Sequence, residues 1–149
     1  MVDGKTYDDL VMDHIKNARG YRALDDATHN ANGANPLCGD ELTVYLKLDG
    51  DRIECVSFQC ACCGISMASA SIMTEKVTGQ RTAEVRAHLR SVVASLTARA
   101  DPASQRADPM QYALLKTVQE FPVRTRCAAL PWITLEAALD NRQDTVFVR

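Results

Sequence analysis

The sequence predicts an α+β fold, a small antiparallel sheet packed against several helices, and three observations carry that expectation. Leu42, Val44, Leu46 and Leu48 alternate with polar residues and run into Asp49–Gly50, the signature of a hairpin near the front of the chain. Apolar residues recur at helical spacing before and after that hairpin. The segments after it read as successive helices, with no strand–helix alternation of the kind that builds a parallel sheet. At 149 residues the chain is read as one domain, 1–149, long enough to bury a core without covalent staples.

Taken in order, Thr6 to Arg19 reads as an amphipathic helix. Tyr7, Leu10, Val11, His14 and Ile15 share one face, and Thr6 with Asp9 resembles a capping box. His14, on that apolar face, is expected to be a packed core residue and not a ligand. Residues 25–36, "DDATHNANGANP", read as a polar loop with a short edge strand near His29. The hairpin follows, its second arm running from Arg52 to Gln59. From Gly64 to Val77 small side chains suit a helix lying close to its neighbours and stopped at Gly79. Thr82 starts a third helix with the stripe Val85, Leu89, Val92, Val93 and Leu96. "ARADPASQRADP" is a loop, and Asp108–Pro109 opens a short fourth helix through Val118. A last helix is expected from about Ala128 to Asp140, with Pro131 in its first turn. His29 and His88 read as solvated.

Composition narrows the function. A formal net charge of −2 gives no reason to expect nucleic acid or an anionic membrane as partner. No apolar stretch approaches the ~20 residues that span a bilayer, and the N-terminal "MVDGKTYDDL" lacks a secretory pattern. A cytoplasmic location is therefore expected. There, six cysteines read as ligands or reactive groups better than as a disulfide framework.

Three of the thiols occupy suggestive places. Cys38 lies in the Pro/Gly loop "NPLCGD", with Asp40 two residues on; Cys63 opens the small-residue helix; Cys127 opens the last helix just after Arg124 and Arg126. Helix N-termini and nearby guanidinium groups favour thiolate, the form that binds metals and attacks sulfur. Cys38, Asp40, Cys63 and Cys127 together would offer three sulfurs and one oxygen, a set that suits tetrahedral zinc. Their spacing alone does not establish that set. From the sequence alone Asp40 reads more readily as a turn residue after Gly39, and the two arginines can equally be ordinary surface charges. The serines of "SMASAS" are explained by close helix packing, and Cys55, in mid-strand, has no evident partner.

"NPLCGD", "CGISMASASIMTEKVTG" and "FPVRTRCAALPW" together resemble the IscU/SufU (NifU N-terminal) iron–sulfur assembly proteins, and "VMDHIKNARG" resembles their N-terminal helix. The likeness runs to about Asp140. It implies that Cys38, Cys63 and Cys127 converge with Asp40 at one exposed metal site. Two features resemble the SufU branch. Arg126 stands where IscU proteins carry a histidine, and 64 residues separate Cys63 from Cys127, a longer interval whose surplus falls around residues 99–120. That branch implies bound Zn2+, a monomer docking on a PLP-dependent SufS-type cysteine desulfurase, and passage of sulfur to downstream sulfur or cluster acceptor proteins. By the same resemblance Cys38 is the persulfide acceptor, and Arg124 helps engage the desulfurase.

Cys60 and Cys62 depart from the family pattern. They stand where glycines are expected, and they could act as extra ligands, receive sulfur in relay, or favour a cluster over zinc. Three functions therefore compete. The first is a zinc-dependent sulfurtransferase. The second is a scaffold that assembles a transient [2Fe-2S] cluster on the same ligands. A dithiol oxidoreductase using Cys60-x-x-Cys63 ranks third, because the strand before it belongs to a hairpin.

Overall fold

Alternating apolar residues after position 40 make a long hairpin, and the remaining elements are arranged against it. The computed structural model describes residues 4–37, 39–97 and 109–148. Along them run α1 (Gly4–Lys16), β1 (His29–Asn35), β2 (Asp40–Asp49), β3 (Arg52–Ala61), α2 (Gly64–Val77), α3 (Thr82–Thr97), α4 (Pro109–Glu120), α5 (Thr125–Leu139) and β4 (Val146–Phe147). One 3-10 turn, Pro122–Arg124, leads into α5. The expected α+β class is the one observed.

In the hairpin, Asp49 pairs with Arg52, so Gly50 and Asp51 form the turn, with Gly50 at φ 61°. Leu42, Val44 and Leu46 of β2 and Ile53, Val56 and Phe58 of β3 are buried. Helix α5 covers this face. Its Leu130, Trp132, Leu135 and Ala138 join the same core as the α3 stripe of Val85, Leu89, Val92 and Leu96.

The structure departs from the expected sheet at β1. The polar stretch expected to be a loop with a short edge strand forms a seven-residue strand, His29–Asn35, paired antiparallel with β2 along its whole length. It is also interior, because β4 pairs with it in parallel and the sheet order is β3-β2-β1-β4. The sheet is therefore mixed. "HNANGAN" has poor strand propensity, and pairing with β2 under the cover of α5 overrides it. At Gly33 the approach of α5 is so close that a Cβ would overlap the Thr134 hydroxyl.

Helix boundaries moved by a few residues. Helix α1 begins two residues before Thr6 and ends at Lys16; α4 continues past Val118 to Glu120. Helix α2 has the expected bounds, and Gly79 (φ 83°) turns the chain away after it. Helix α5 starts at Thr125, so Pro131 sits in its second turn and not its first. Cys38, the loop over 98–108 and the Asp108 cap lie outside the described residues. Among the described residues no helix is long and apolar enough to cross a membrane.

His14 is 1% exposed, and its Nδ1 lies 2.6 Å from the Ser71 hydroxyl. That is the core placement its helix face predicted. His88 is only partly exposed, its ring edge-on to Trp132 with centroids 5.6 Å apart, so it is not simply solvated.

Candidate metal centre

Three chain segments meet at one end of the sheet. Gly39, at φ 74°, makes the turn into β2 and delivers Asp40 to the first position of that strand. Asp40 is buried, at 4% exposure. Its Oδ1 accepts the backbone N–H of Cys63 at 3.0 Å, and its Oδ2 accepts the Ser66 hydroxyl at 3.0 Å. Cys63 occupies the N-cap position of α2 in extended conformation, without a side-chain cap bond. Its sulfur therefore remains available at the positive end of the helix. Cys127 lies in the first turn of α5 at 1% exposure.

One ligand atom from each of Asp40, Cys63 and Cys127 lies within 4.8 Å of the others. Two thiolates on a tetrahedral zinc at ~2.3 Å stand about 3.8 Å apart. A small contraction thus brings these three atoms to coordination distance. Cys38, the fourth member of the expected set, lies outside the described residues; it is flanked by exposed Leu37 and Gly39. Two sulfurs, one carboxylate oxygen and a further cysteine two residues from Asp40 fit zinc chemically.

Two groups that the sequence reading passed over hold the site together. The first is Ser66, buried one turn after Cys63. Besides Asp40 Oδ2, its hydroxyl lies 2.9 Å from the Cys127 carbonyl, while the Cys63 sulfur lies 3.7 Å from the Ser66 Oγ. The Cys127 carbonyl is open to this contact because Pro131, four residues on, has no N–H to give it. The serine at i+3 from the cysteine and the proline at i+4 from the other cysteine were the available signals. The second group is Asn35, whose Nδ2 points at the Cys127 sulfur at 3.9 Å.

Arg124 ends the 3-10 turn before α5. Hydrogen bonding to Cys127, then the charge of Cys63 and of Cys127, holds its guanidinium more firmly protonated than an ordinary arginine. Arg126 points out into solvent. Beside the site opens a cleft of about 730 Å³, lined in part by Asn35, Leu37, Val123, Arg124, Arg126 and Cys127. Its rim is apolar and bare, with Leu37 75% and Val123 82% exposed.

The remaining cysteines do not join the cluster. Cys60 and Cys62 are bonded to each other as a disulfide, where the cysteines were expected to serve as ligands or reactive groups better than as a disulfide framework. This also removes the Cys60–Cys63 pairing on which the oxidoreductase reading rested. The two residues follow one another at strand period, on one face of the β3 end, and there their sulfurs can meet. Cys55 does have a partner, since the Arg22 guanidinium donates to its sulfur at 3.2 Å.

A four-stranded sheet under α5, with two cysteines and an aspartate gathered at its end, defines a class of small metal- or sulfur-handling domains. The chain belongs to the NifU-like N-terminal domain family, whose model matches residues 6–141. It is thus a member of an iron–sulfur cluster assembly family. It is 35% identical over 137 residues to the zinc-dependent sulfurtransferase SufU of Bacillus subtilis, covering 92% of this chain and 91% of that one. It is 32% identical over 139 residues to the iron–sulfur cluster assembly scaffold protein IscU of Thermotoga maritima, covering 93% and 96%. Among solved structures, FiSufU of Fervidobacterium islandicum AW-1, described as a candidate scaffold protein for the SUF system, superposes with a TM-score of 0.77. That match has 29% identity and covers 93% of this chain and 99% of that one.

Proposed function

We propose that this protein is a zinc-dependent sulfurtransferase that takes persulfide sulfur from a SufS-type cysteine desulfurase for iron–sulfur cluster assembly. The carrying observation is the convergence of Asp40, Cys63 and Cys127 with the Arg124 guanidinium set against both sulfurs. The ligand set is these three residues with Cys38. Zinc bound there supplies a redox-inert Lewis acid that keeps thiolates deprotonated at neutral pH.

The chain's own residues do the rest. Ser66 fixes the Asp40 carboxylate and the start of α5, so that Cys63 and Cys127 keep their separation. Arg124 offers a competing positive charge beside the thiolates. The bare rim of Leu37 and Val123 is suited to receive the desulfurase, and Leu37 is next to Cys38. In the transfer, the Cys38 thiolate attacks the outer sulfur of the desulfurase persulfide. The new S–S bond forms on Cys38 as the old one breaks, and the desulfurase cysteine leaves as thiolate. Downstream acceptor proteins then draw the sulfur from Cys38.

The test joins metal content with activity. Protein purified without oxygen should hold about one zinc per chain and no acid-labile sulfide. Cys38→Ser should abolish stimulation of a cognate desulfurase, and full stimulation by that variant would sink the reading. A second reading, a scaffold for a transient [2Fe-2S] cluster on the same ligands, draws support from the likeness to the Thermotoga maritima protein. Iron with matching sulfide in place of zinc would select it.

A further inference from the structure

Cys60 is the next-to-last residue of β3, and Cys62 follows the strand by one residue. Their Cα atoms lie 5.4 Å apart and their sulfurs are bonded. Both side chains are partly open to solvent. The pair sits against the candidate metal centre. Leu42 pairs with Cys60 and Glu41 with Ala61, so the ladder leads from Cys62 toward Asp40, and the next residue, Cys63, gives its N–H to Asp40 Oδ1 at 3.0 Å. Cys38, the acceptor in the proposed function, is two residues from Asp40 along the chain. A bridge that encloses a single residue is a poor staple, because the stabilisation from loop closure is least for the shortest loops. A bridge partly open to solvent can also be reached by other thiols for exchange.

Sulfur handed over as a persulfide is at the sulfane level, while a cluster contains sulfide. Two electrons per sulfur must come from somewhere. We propose that Cys60 and Cys62 are the dithiol that supplies them, reducing sulfane sulfur delivered to this site to sulfide. The proposal rests on the reading of Cys38 as sulfur acceptor.

The step balances within the chain. The Cys62 thiolate attacks the outer sulfur of the Cys38 persulfide; the Cys38 S–S bond breaks, and Cys38 leaves as thiolate. The Cys60 thiolate then attacks the inner sulfur of the persulfide now on Cys62. The Cys60–Cys62 disulfide forms, and hydrosulfide leaves with the proton the dithiol gave up. Two thiols have lost two electrons, and one sulfane sulfur has gained them. The structure holds the oxidised end state of this cycle. A protein dithiol of the thioredoxin class is the reductant that resets it.

The test uses the full chain, reduced, freed of small thiols under argon and mixed with a persulfide-loaded cysteine desulfurase from which free cysteine has been removed. Wild type should release about one hydrosulfide per chain without added thiol, and peptide mass spectrometry should find the Cys60–Cys62 disulfide in matching amount. The Cys60→Ser/Cys62→Ser variant should still gain one sulfur on Cys38 but release at least ~10-fold less sulfide. Cys60→Ser alone should stall with the extra sulfur on Cys62. Equal sulfide from the double variant, or release without the disulfide, overturns the proposal and leaves the acceptor reading standing. No sulfur gained on Cys38 in either protein overturns both.

Discussion

One hydroxyl, that of Ser66, touches all three residues of the converging cluster: the Asp40 carboxylate, the Cys127 carbonyl and the Cys63 sulfur. It thereby links α2, α5 and the start of β2 at this point. Ser66→Ala removes the one buried hydroxyl proton that the Asp40 carboxylate and the Cys127 carbonyl share. A cost of about 1–3 kcal/mol in stability is expected. Zinc affinity, read by competition with a chromophoric chelator, should fall ~10–100-fold because a group that orients the ligands is gone. Unchanged affinity together with a lowered Tm would reduce Ser66 to a packing role. The sequence made Cys63, Asp40 and Cys127 visible through residue type. Ser66 and Asn35 stayed hidden, because serine and asparagine have many ordinary uses, and only the fold shows what they face.

At the scale of elements, the site depends on how closely α5 approaches β1. Gly33 allows that approach, because any side chain there meets Thr134, whose own hydroxyl is tied to the Leu130 carbonyl at 2.8 Å. Gly33→Ala should therefore push α5 outward and destabilise the chain by about 1–3 kcal/mol, as overpacking does. Urea unfolding checks it, and a variant as stable as wild type would mean that α5 has slack. Helix α2 is held by its serines in three directions. Ser66 reaches the metal cluster, Ser69 bonds the Ala128 carbonyl at 2.6 Å and accepts Trp132 Nε1–H at 3.0 Å, and Ser71 accepts the Arg19 N–H at 2.8 Å. The small residues were legible as a sign of close packing. Their hydrogen bonds were not, because partners 52 to 63 residues away leave no local pattern.

For the whole molecule, stability should depend on pH through His14. Burial, then the positive charge of Arg19, holds its pKa below the ordinary 6.5, with Glu75 and Asp13 opposing. Its Nε2 lies 4.0 Å from the Glu75 carboxylate, and Glu75 is itself engaged by Arg19 at 2.9 Å. The folded chain thus keeps His14 neutral where the unfolded chain protonates it. The unfolded state binds more protons, so stability rises with pH and is lost as pH falls below 6.5 toward the folded value. The slope from this one group is at most about 1.4 kcal/mol per pH unit. Unfolding free energies measured across pH 6.5 to 5 should show a loss that His14→Gln flattens, whatever that variant does to the absolute stability. An unchanged slope in the variant would place the proton uptake elsewhere.

The sequence by itself determined the α+β class, the hairpin with its turn, the helical stripes and the residue types capable of binding a metal. Each of these rests on a local signal: period two, period 3.6, a turn dipeptide, or a thiol beside a helix start. Three further things were decided only in the tertiary structure. "HNANGAN" became an interior strand because β2, β4 and α5 surround it. Asp40, Cys63 and Cys127 came within 4.8 Å across 87 residues of chain. Cys60 found Cys62 and not Cys63, since the end of β3 puts the first two on one face while Cys63 turns toward Asp40 to begin α2. Pairing, burial and ligand geometry are properties of distance in space, which local sequence patterns do not encode.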